Sequence, residues 1–396
     1  MKKLLVIGAG FLQAFVIKKA VSLGYETCAV DADPNAPGFR FADRHEVINI
    51  VDENACLEYA VREKIDGVLT AATDYGVLTA AYIAGNLGLP GLDYATARLI
   101  KNKFRVRKCL FENRVDDTAQ AYEVDACTDL AALSARLDYP VMVKPCDGSG
   151  SRGASRVDAP EDLEPACEYA MNGSITHRAE IESFISGVEY GAESFVLDGE
   201  PHVLAIMKKW MTEPPYYAEL GHAVPCGLPA ELERKARTCV ENALKALHVN
   251  FGSVNMDMLI TSEGKVHIVD IGARMGGNMI GPCVVPYGTG VDYVGAMIKA
   301  AVGDPVDLSA GEHCAVATRL LAFEGGTVIH VPDIDAVEAE FGVELYHHLE
   351  VGQKVNKYRT NLDGCGYIVA KAETVELAAQ KVERALEYFR KVCFEQ

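Results

Sequence analysis

The amino-acid sequence predicts an α/β protein: a doubly wound parallel sheet over the first hundred or so residues, with mixed, α+β character in the remainder. Three observations lead there. From residue 3 to about residue 112, short apolar runs alternate with segments of helical period, the pattern of successive βα units. Glycine-bearing turns divide the two kinds of segment, the first being Gly8-Ala9-Gly10. At 396 residues, 49% hydrophobic and 24% charged, the chain has the length for two or three domains with full cores.

Residues 3–7 (KLLVI) read as a buried strand, and the helix after the glycine turn runs over about 11–23, with Gly24 placed to cap its C-terminus. Further strands are expected at 26–31, 46–50 and 66–70, and Asp52 is positioned to cap the helix of DENACLEYAVREK between the last two. The first unit closes near Pro90-Gly91, after which Asp93 can cap a helix reaching about residue 112. A second unit over about 115–190 carries strands at 121–125, 141–144 and 179–185 and a helix near 161–171. A strand at 191–197 comes after a glycine turn. Next are a helix at 230–247 and two strands, 254–260 and 265–271, joined by the turn Ser262-Glu263-Gly264. The last stretch holds strands at 314–321 and 365–371 and an amphipathic helix at 374–392 that Thr374 can cap.

Composition excludes several classes of function. A formal net charge of −18 argues against a nucleic-acid backbone as partner, so any phosphate site must be a local basic pocket. The twelve cysteines form no C-x-x-C pair, and Cys28, Cys109, Cys239 and Cys283 sit among apolar neighbours as expected core residues. A chain of this size folds without disulfides, which points to a reducing cytoplasm. The opening MKKLLVIGAGFLQAFVIKKA imitates a signal peptide, but Gly8-Ala9-Gly10 and Gln13 interrupt its apolar run. No segment reaches the roughly 18 apolar residues of a membrane span, so no membrane partner is expected.

The chemistry concentrates in three places. In VMVKPCDGSGSRGAS a strand ends on Lys144 and opens into a loop with Gly148, Gly150 and Gly153. Glycines let backbone amides approach an anion closely, and a lysine beside such a nest suits a phosphate chain. The lysine precedes the glycines, the reverse of the P-loop order. Second, Asp257 and Asp270 lie in successive strands joined by a tight turn, so hairpin pairing can bring both carboxylates to one face. Two such acids repel unless a cation separates them, and magnesium takes oxygen ligands of this kind. Arg274, four residues on, is placed to balance charge on a transferred phosphoryl group. Third, Gly8-Ala9-Gly10 with Asp31 resembles a dinucleotide fingerprint, but Gln13 and Ala14 stand where the third glycine belongs. That turn reads as strand-to-helix geometry, with a nicotinamide oxidoreductase as the outside alternative.

With Lys103, Lys144, the glycine loop, IESFISG, Asp257 and DIGAR in this order, the chain resembles the ATP-grasp superfamily of carboxylate–amine ligases. The resemblance covers nearly the whole length. It implies a Rossmann-like pre-ATP-grasp domain over 1–112, then an ATP-grasp fold with a lid part over 113–200, a catalytic part over 201–310 and a C-terminal α/β portion over 311–396. It implies ATP and magnesium, with manganese as an alternative ion. Lys103 and Lys144 match the lysines on the ATP phosphates, and Asp147, Gly148, Ser149, Gly150, Ser151, Arg152 and Gly153 match the flexible lid. Glu182 matches the acid at the adenine edge, the backbone of Ser183, Phe184 and Ile185 the base-reading segment, and Glu189 the acid on the ribose. Asp257 and Asp270 match the magnesium carboxylates, and Arg274, with Lys103 and Lys144, the catalytic cations.

The chain departs from the family at Asp270-Ile271-Gly272-Ala273-Arg274, where members often read E-x-N-x-R. Gly272 offers no side-chain oxygen, leaving a second magnesium to Asn278, to water or to weaker binding. The implied reaction is attack of a carboxylate on the γ-phosphate of ATP, then displacement of phosphate from the acyl phosphate by an amine. The segment Tyr216-Tyr217-Ala218-Glu219-Leu220-Gly221-His222 could line the acceptor pocket, with His222, Arg274 and Asn278 as substrate contacts. A small-molecule carboxylate, that of an amino acid first, and a small-molecule amine are thus the expected partners, with a homodimer as the usual assembly. The alternatives are a purine-pathway ligase using a phosphoribosyl amine or bicarbonate, and a nucleotide-binding regulator without turnover.

Overall fold

The computed structural model describes residues 1–396 apart from 119, 149, 151, 215, 395 and 396. Its first layer is the expected parallel sheet, in the strand order Arg44–Val47, Glu26–Asp31, Lys3–Ile7, Gly67–Thr70. Leu4, Leu5, Val6 and Ile7 are fully buried at its centre, as a strand covered on both faces requires. Asp52 caps the helix Glu53–Glu63 by accepting from the Ala55 amide at 3.0 Å.

Two local expectations need correction. The strand expected at 46–50 lies at Arg44–Val47 and is exposed along its length. Ile48 and Ile50, which suggested it, instead fold against the core beside Cys56 and Tyr59 after the strand has ended. The single helix expected from residue 93 to about 112 is two, Tyr94–Ile100 and Lys103–Glu112. Asp93 makes no side-chain cap, whereas Asn102 caps the second helix by accepting from the Arg105 amide at 2.9 Å. That break sets Lys103 at a helix start, where its backbone amide donates to the Cys146 carbonyl at 2.8 Å. An unforeseen helix, Val77–Leu87, completes this region.

The second layer is a four-stranded antiparallel sheet in the order Ala121–Val124, Ala179–Ser183, Val141–Pro145, Ser155–Val157, with the helix Leu163–Asn172 packed on it. The third is an eight-stranded antiparallel sheet. Its order is Val266–Gly272, Gly252–Ile260, Val188–Leu197, Glu200–Met211, Glu219–Val224, Ala315–Leu320, Gly366–Ala372, Glu344–His347. The boundary placed at residue 200 falls beside the tight turn between two paired strands of this sheet, and the one placed at 310 falls before strands that continue it. Strands Glu200–Met211 and Glu219–Val224 escape a pattern search because Lys208-Lys209 and Gly221-His222 interrupt their apolar runs.

The closing helix Val375–Phe394 buries Ala378, Val382, Ala385 and Phe389 against this sheet, and Thr374 Oγ1 accepts from the Leu377 amide at 3.3 Å. All twelve cysteines are free; Cys28 and Cys283 are buried as expected, while Cys109 and Cys239 are only partly so. Among the described residues no helix is long and apolar enough to cross a membrane.

Candidate active site

A cavity of about 530 Å³ opens between the four-stranded and eight-stranded sheets. One wall is the strand pair that carries Lys144 and Glu182, continuing into the backbone of Ser183, Phe184 and Ile185. The other wall presents Glu189, Lys209, Asp257 and Asp270 from neighbouring strands of the larger sheet. Lys103 reaches the cavity from its helix start, and Gly148, Gly150 and Arg152 line it from the loop.

On the first wall Lys144 Nζ stands 2.5 Å from Glu182 Oε1 and donates to the Val269 carbonyl at 3.2 Å. The other oxygen of Glu182 accepts from Arg107 Nε at 2.8 Å. Arg107 also donates to Asp116 Oδ2 at 2.9 Å and to the Ile268 carbonyl at 2.6 Å. Burial alone would raise the Glu182 carboxyl, but Arg107 and Lys144 hold it below the ordinary range. Glu180, two residues earlier on the same strand face, is pushed up to about 7 by burial and then by Glu182. Arg107 escapes a reading of the sequence because a basic residue in KFRVRKCL looks like part of a solvated helix face.

The loop divides its labour. Gly150, at φ 68°, lines the cavity, whereas Gly153, at φ 76°, packs so closely on Pro145 that a Cβ would lie 2.7 Å from its ring. Asp147 does not face the cavity: its carboxylate accepts from the amides of Ile175 and Thr176 at 3.1 and 3.0 Å, tying down the base of the loop. Arg152 Nη2 donates to the Tyr75 hydroxyl at 2.7 Å. Ser149 and Ser151 lie outside the described residues.

At the acidic end, Asp257 and Asp270 are direct cross-strand partners. Asp270 is paired with Lys103. Lys209, absent from the sequence-based candidates, bonds Glu189 and Glu219 at 2.6 Å each and Asp257 at 2.8 Å. Burial opposes its charge, yet Asp257, Glu189 and Glu219 hold the ammonium well above its ordinary pKa. Burial lifts Asp257 to about 7 against the pull of Lys209. Glu219, also buried, is held down to about 2 chiefly by Lys209.

Arg274, His222 and Asn278 do not line this cavity. Arg274 Nε and Nη2 face the two oxygens of Asp74, at 2.9 and 3.1 Å, and so tie the large sheet to the loop after Gly67–Thr70. Its buried Nη1 has no hydrogen-bond partner among the described residues. Asn278 donates its side-chain amide to Glu219, and Asn361 does the same from the C-terminal part at 3.3 Å. His222 Nε2 lies 3.9 Å from Glu219 Oε1, and its Nδ1 is unpartnered among the described residues; burial lowers this imidazole to about 4. These groups surround Glu219 behind Lys209. The glycine turn at the N-terminus is occupied differently: Asp31 accepts from the Ala9 amide at 2.7 Å, and a Cβ on Gly10 would lie 2.9 Å from Gln13 Oε1. Asp31 is thereby tied to the turn itself, and Gln13 packs against it.

Residues 137–282 match the ATP-grasp domain family, and residues 319–392 match the L-amino acid ligase C-terminal domain 2. The chain thus carries an ATP-grasp domain, followed by a domain of the L-amino acid ligase C-terminal type. An uncharacterized protein of Sinorhizobium fredii, y4rH, is 28% identical over 368 residues, covering 90% of this chain and 75% of that one. A formate-dependent phosphoribosylglycinamide formyltransferase of Burkholderia pseudomallei is 33% identical over 189 residues, spanning just 46% of either chain. Two solved structures share the fold of this chain over 98% of both chains. They are an L-amino acid ligase from Bacillus licheniformis, at TM-score 0.83 and 22% identity, and a phosphoribosylglycinamide synthetase from Anaerococcus prevotii, at 0.77 and 24%.

The residues of the cleft suit a nucleotide and a magnesium ion, the cofactors that ATP-grasp ligases use. The cavity volume falls within the usual range of ligand sites, its walls offer backbone amides and the lysines Lys103, Lys144 and Lys209, and its acidic end offers two facing carboxylates of the oxygen type that magnesium prefers.

Proposed function

We propose that this ATP-grasp enzyme uses ATP and magnesium to activate the carboxylate of an amino acid as an acyl phosphate and couples it to an amine, releasing ADP and phosphate. The observation that carries this reading is the cross-strand pair Asp257 and Asp270, set in the same cavity as Lys103, Lys144 and the Ser183–Ile185 backbone. In it, the backbone segment receives the base, Glu189 the ribose, and Lys103 and Lys144 the phosphates. Asp257 and Asp270 would hold magnesium, which would supply charge neutralisation at the transferred phosphoryl group. The loop from Gly148 to Gly153 covers the phosphates and keeps water from the acyl phosphate. Arg274, held by Asp74 and set back from the cavity lining, adds positive charge on the Asp270 side through its field, while Glu219, His222 and Asn278 act on the amine side from behind Lys209.

Support for an amino-acid substrate comes from the match to the L-amino acid ligase C-terminal domain, whose Asn361 meets Glu219. A cytoplasmic homodimer is the proposed setting, in keeping with the dimer named for one structural neighbour, a biotin carboxylase domain from Hydrogenobacter thermophilus. The test is release of ADP and phosphate from ATP, magnesium and mixed amino acids, lost in Asp257→Asn. Silence across a broad amino-acid panel would falsify the proposal. The second reading, a purine-pathway ligase, draws on the 33% identity to the formyltransferase. Turnover that requires a phosphoribosyl amine would decide for it.

A further inference from the structure

Lys101 is an ammonium without an acid of its own. It follows the helix Tyr94–Ile100, two residues before Lys103 opens the next helix, and its side chain is half-buried. Among the described residues it makes no hydrogen bond or ion pair; its Nζ sits over the ring of Tyr75 instead, 4.9 Å from the centroid. The acids whose charge reaches it are already engaged. Asp74 faces Arg274 at 2.9 and 3.1 Å, and Asp147 accepts from the amides of Ile175 and Thr176. Burial lowers the pKa of Lys101, which Asp74 opposes only in part and the neighbouring charge of Lys103 reinforces. A desolvated cation so placed gains from an anion.

Lys101 lines a small cavity of about 20 Å³ that adjoins the main one. The two share Lys103, Gly148 and Asp270, while Ser183, Phe184 and Ile185 line the main cavity alone. The small cavity therefore lies at the end away from the segment proposed to receive the base. Space of that size holds one water or one oxygen of an anion. The helix Val77–Leu87 begins at its edge, and its cap residue Gly76 supplies no side chain to the first amides, so this helix end adds positive potential. The other lysines around the cleft are all paired: Lys103 with Asp270, Lys144 with Glu182, and Lys209 with Glu189, Glu219 and Asp257. Of these four lysines, Lys101 alone has no carboxylate partner among the described residues.

We propose that Lys101 contacts the terminal phosphate of the bound nucleotide and supplies affinity that a triphosphate has and a diphosphate lacks. This rests on the reading of the cleft as a nucleotide site with its base at Ser183–Ile185. One oxygen of the terminal phosphate enters the small cavity between Lys101 and Lys103 and takes a charge-assisted hydrogen bond that ADP cannot make. The test is calorimetric titration of the whole chain with ADP and with the β,γ-imido analogue of ATP, each with magnesium. Lys101→Met keeps much of the side chain over Tyr75 and removes its charge. It should weaken the analogue about ten- to a hundredfold while shifting ADP by less than about twofold. Lys101→Arg, which keeps the charge, should stay near the wild type for both. A thermal melt shows whether the methionine variant is folded; Lys101→Gln makes the same comparison if it is not. Equal weakening of both nucleotides in a folded variant, or an unchanged analogue, overturns the inference and leaves the nucleotide reading standing. A wild-type chain that binds neither nucleotide overturns both.

Discussion

Arg107 joins Glu182, Asp116 and the Ile268 carbonyl while almost wholly buried. Removing one member of such a network strands the others without water. Arg107→Met should therefore cost about 3–5 kcal/mol in urea unfolding, well above the effect of a surface arginine such as Arg136→Met. His222 makes a prediction about pH. Its native pKa, lowered by burial to about 4, lies below the ordinary value of 6.5, so between those values the unfolded chain binds more protons than the folded one. Stability contributed by the neutral imidazole is then present above pH 6.5 and is lost as pH falls towards 4, by up to about 3 kcal/mol. Unfolding curves of His222→Gln should show a shallower acid loss across that window; an unchanged slope would assign the loss to other groups. The residues that carry recognisable chemistry in the sequence are those in a short local pattern, such as Lys144 before its glycines. Lys209, Glu219 and Arg107 have no such pattern, because their partners lie on other strands and helices.

At the scale of elements, turns and caps are the legible part. Asp52, Thr374 and the Ser262-Glu263-Gly264 turn act within a few residues, and local sequence suffices to place them. The hairpin that brings Asp257 opposite Asp270 comes from the same logic. Strands that face a polar cavity are harder to see, since the charged residues they need for a ligand erase their apolar alternation. Gly187 tests how the cavity wall is joined to the large sheet. A Cβ there would lie 2.7 Å from the Ile260 carbonyl oxygen, so Gly187→Ala must push apart the turn and the strand edge beside the Ser183–Ile185 segment proposed to receive the base. The expected outcome is a loss of about 1–3 kcal/mol in stability together with weaker binding of an ATP analogue, both measurable by thermal melts with and without the analogue.

Across the whole molecule, the N-terminal sheet meets the large sheet at the Asp74–Arg274 pair and where the Ala72 amide donates to the Met275 carbonyl at 3.1 Å. Asp74→Ala should loosen that junction, seen as faster amide exchange in residues 70–76 and 272–278, and should lower turnover more than it weakens ATP binding, because Arg274 loses its orientation. The division of the chain is only partly visible in sequence: composition shows no linker where one hydrogen-bonded sheet runs from Val188–Leu197 through Ala315–Leu320 to Glu344–His347. That continuity bears on how such enzymes can be recombined. A hybrid in which the chain from Ala315 onward is taken from a relative would give Glu219 a foreign neighbour in place of Tyr358 and Asn361. Choice of amine should then track the transplanted tail, while the taste for adenine stays with the recipient.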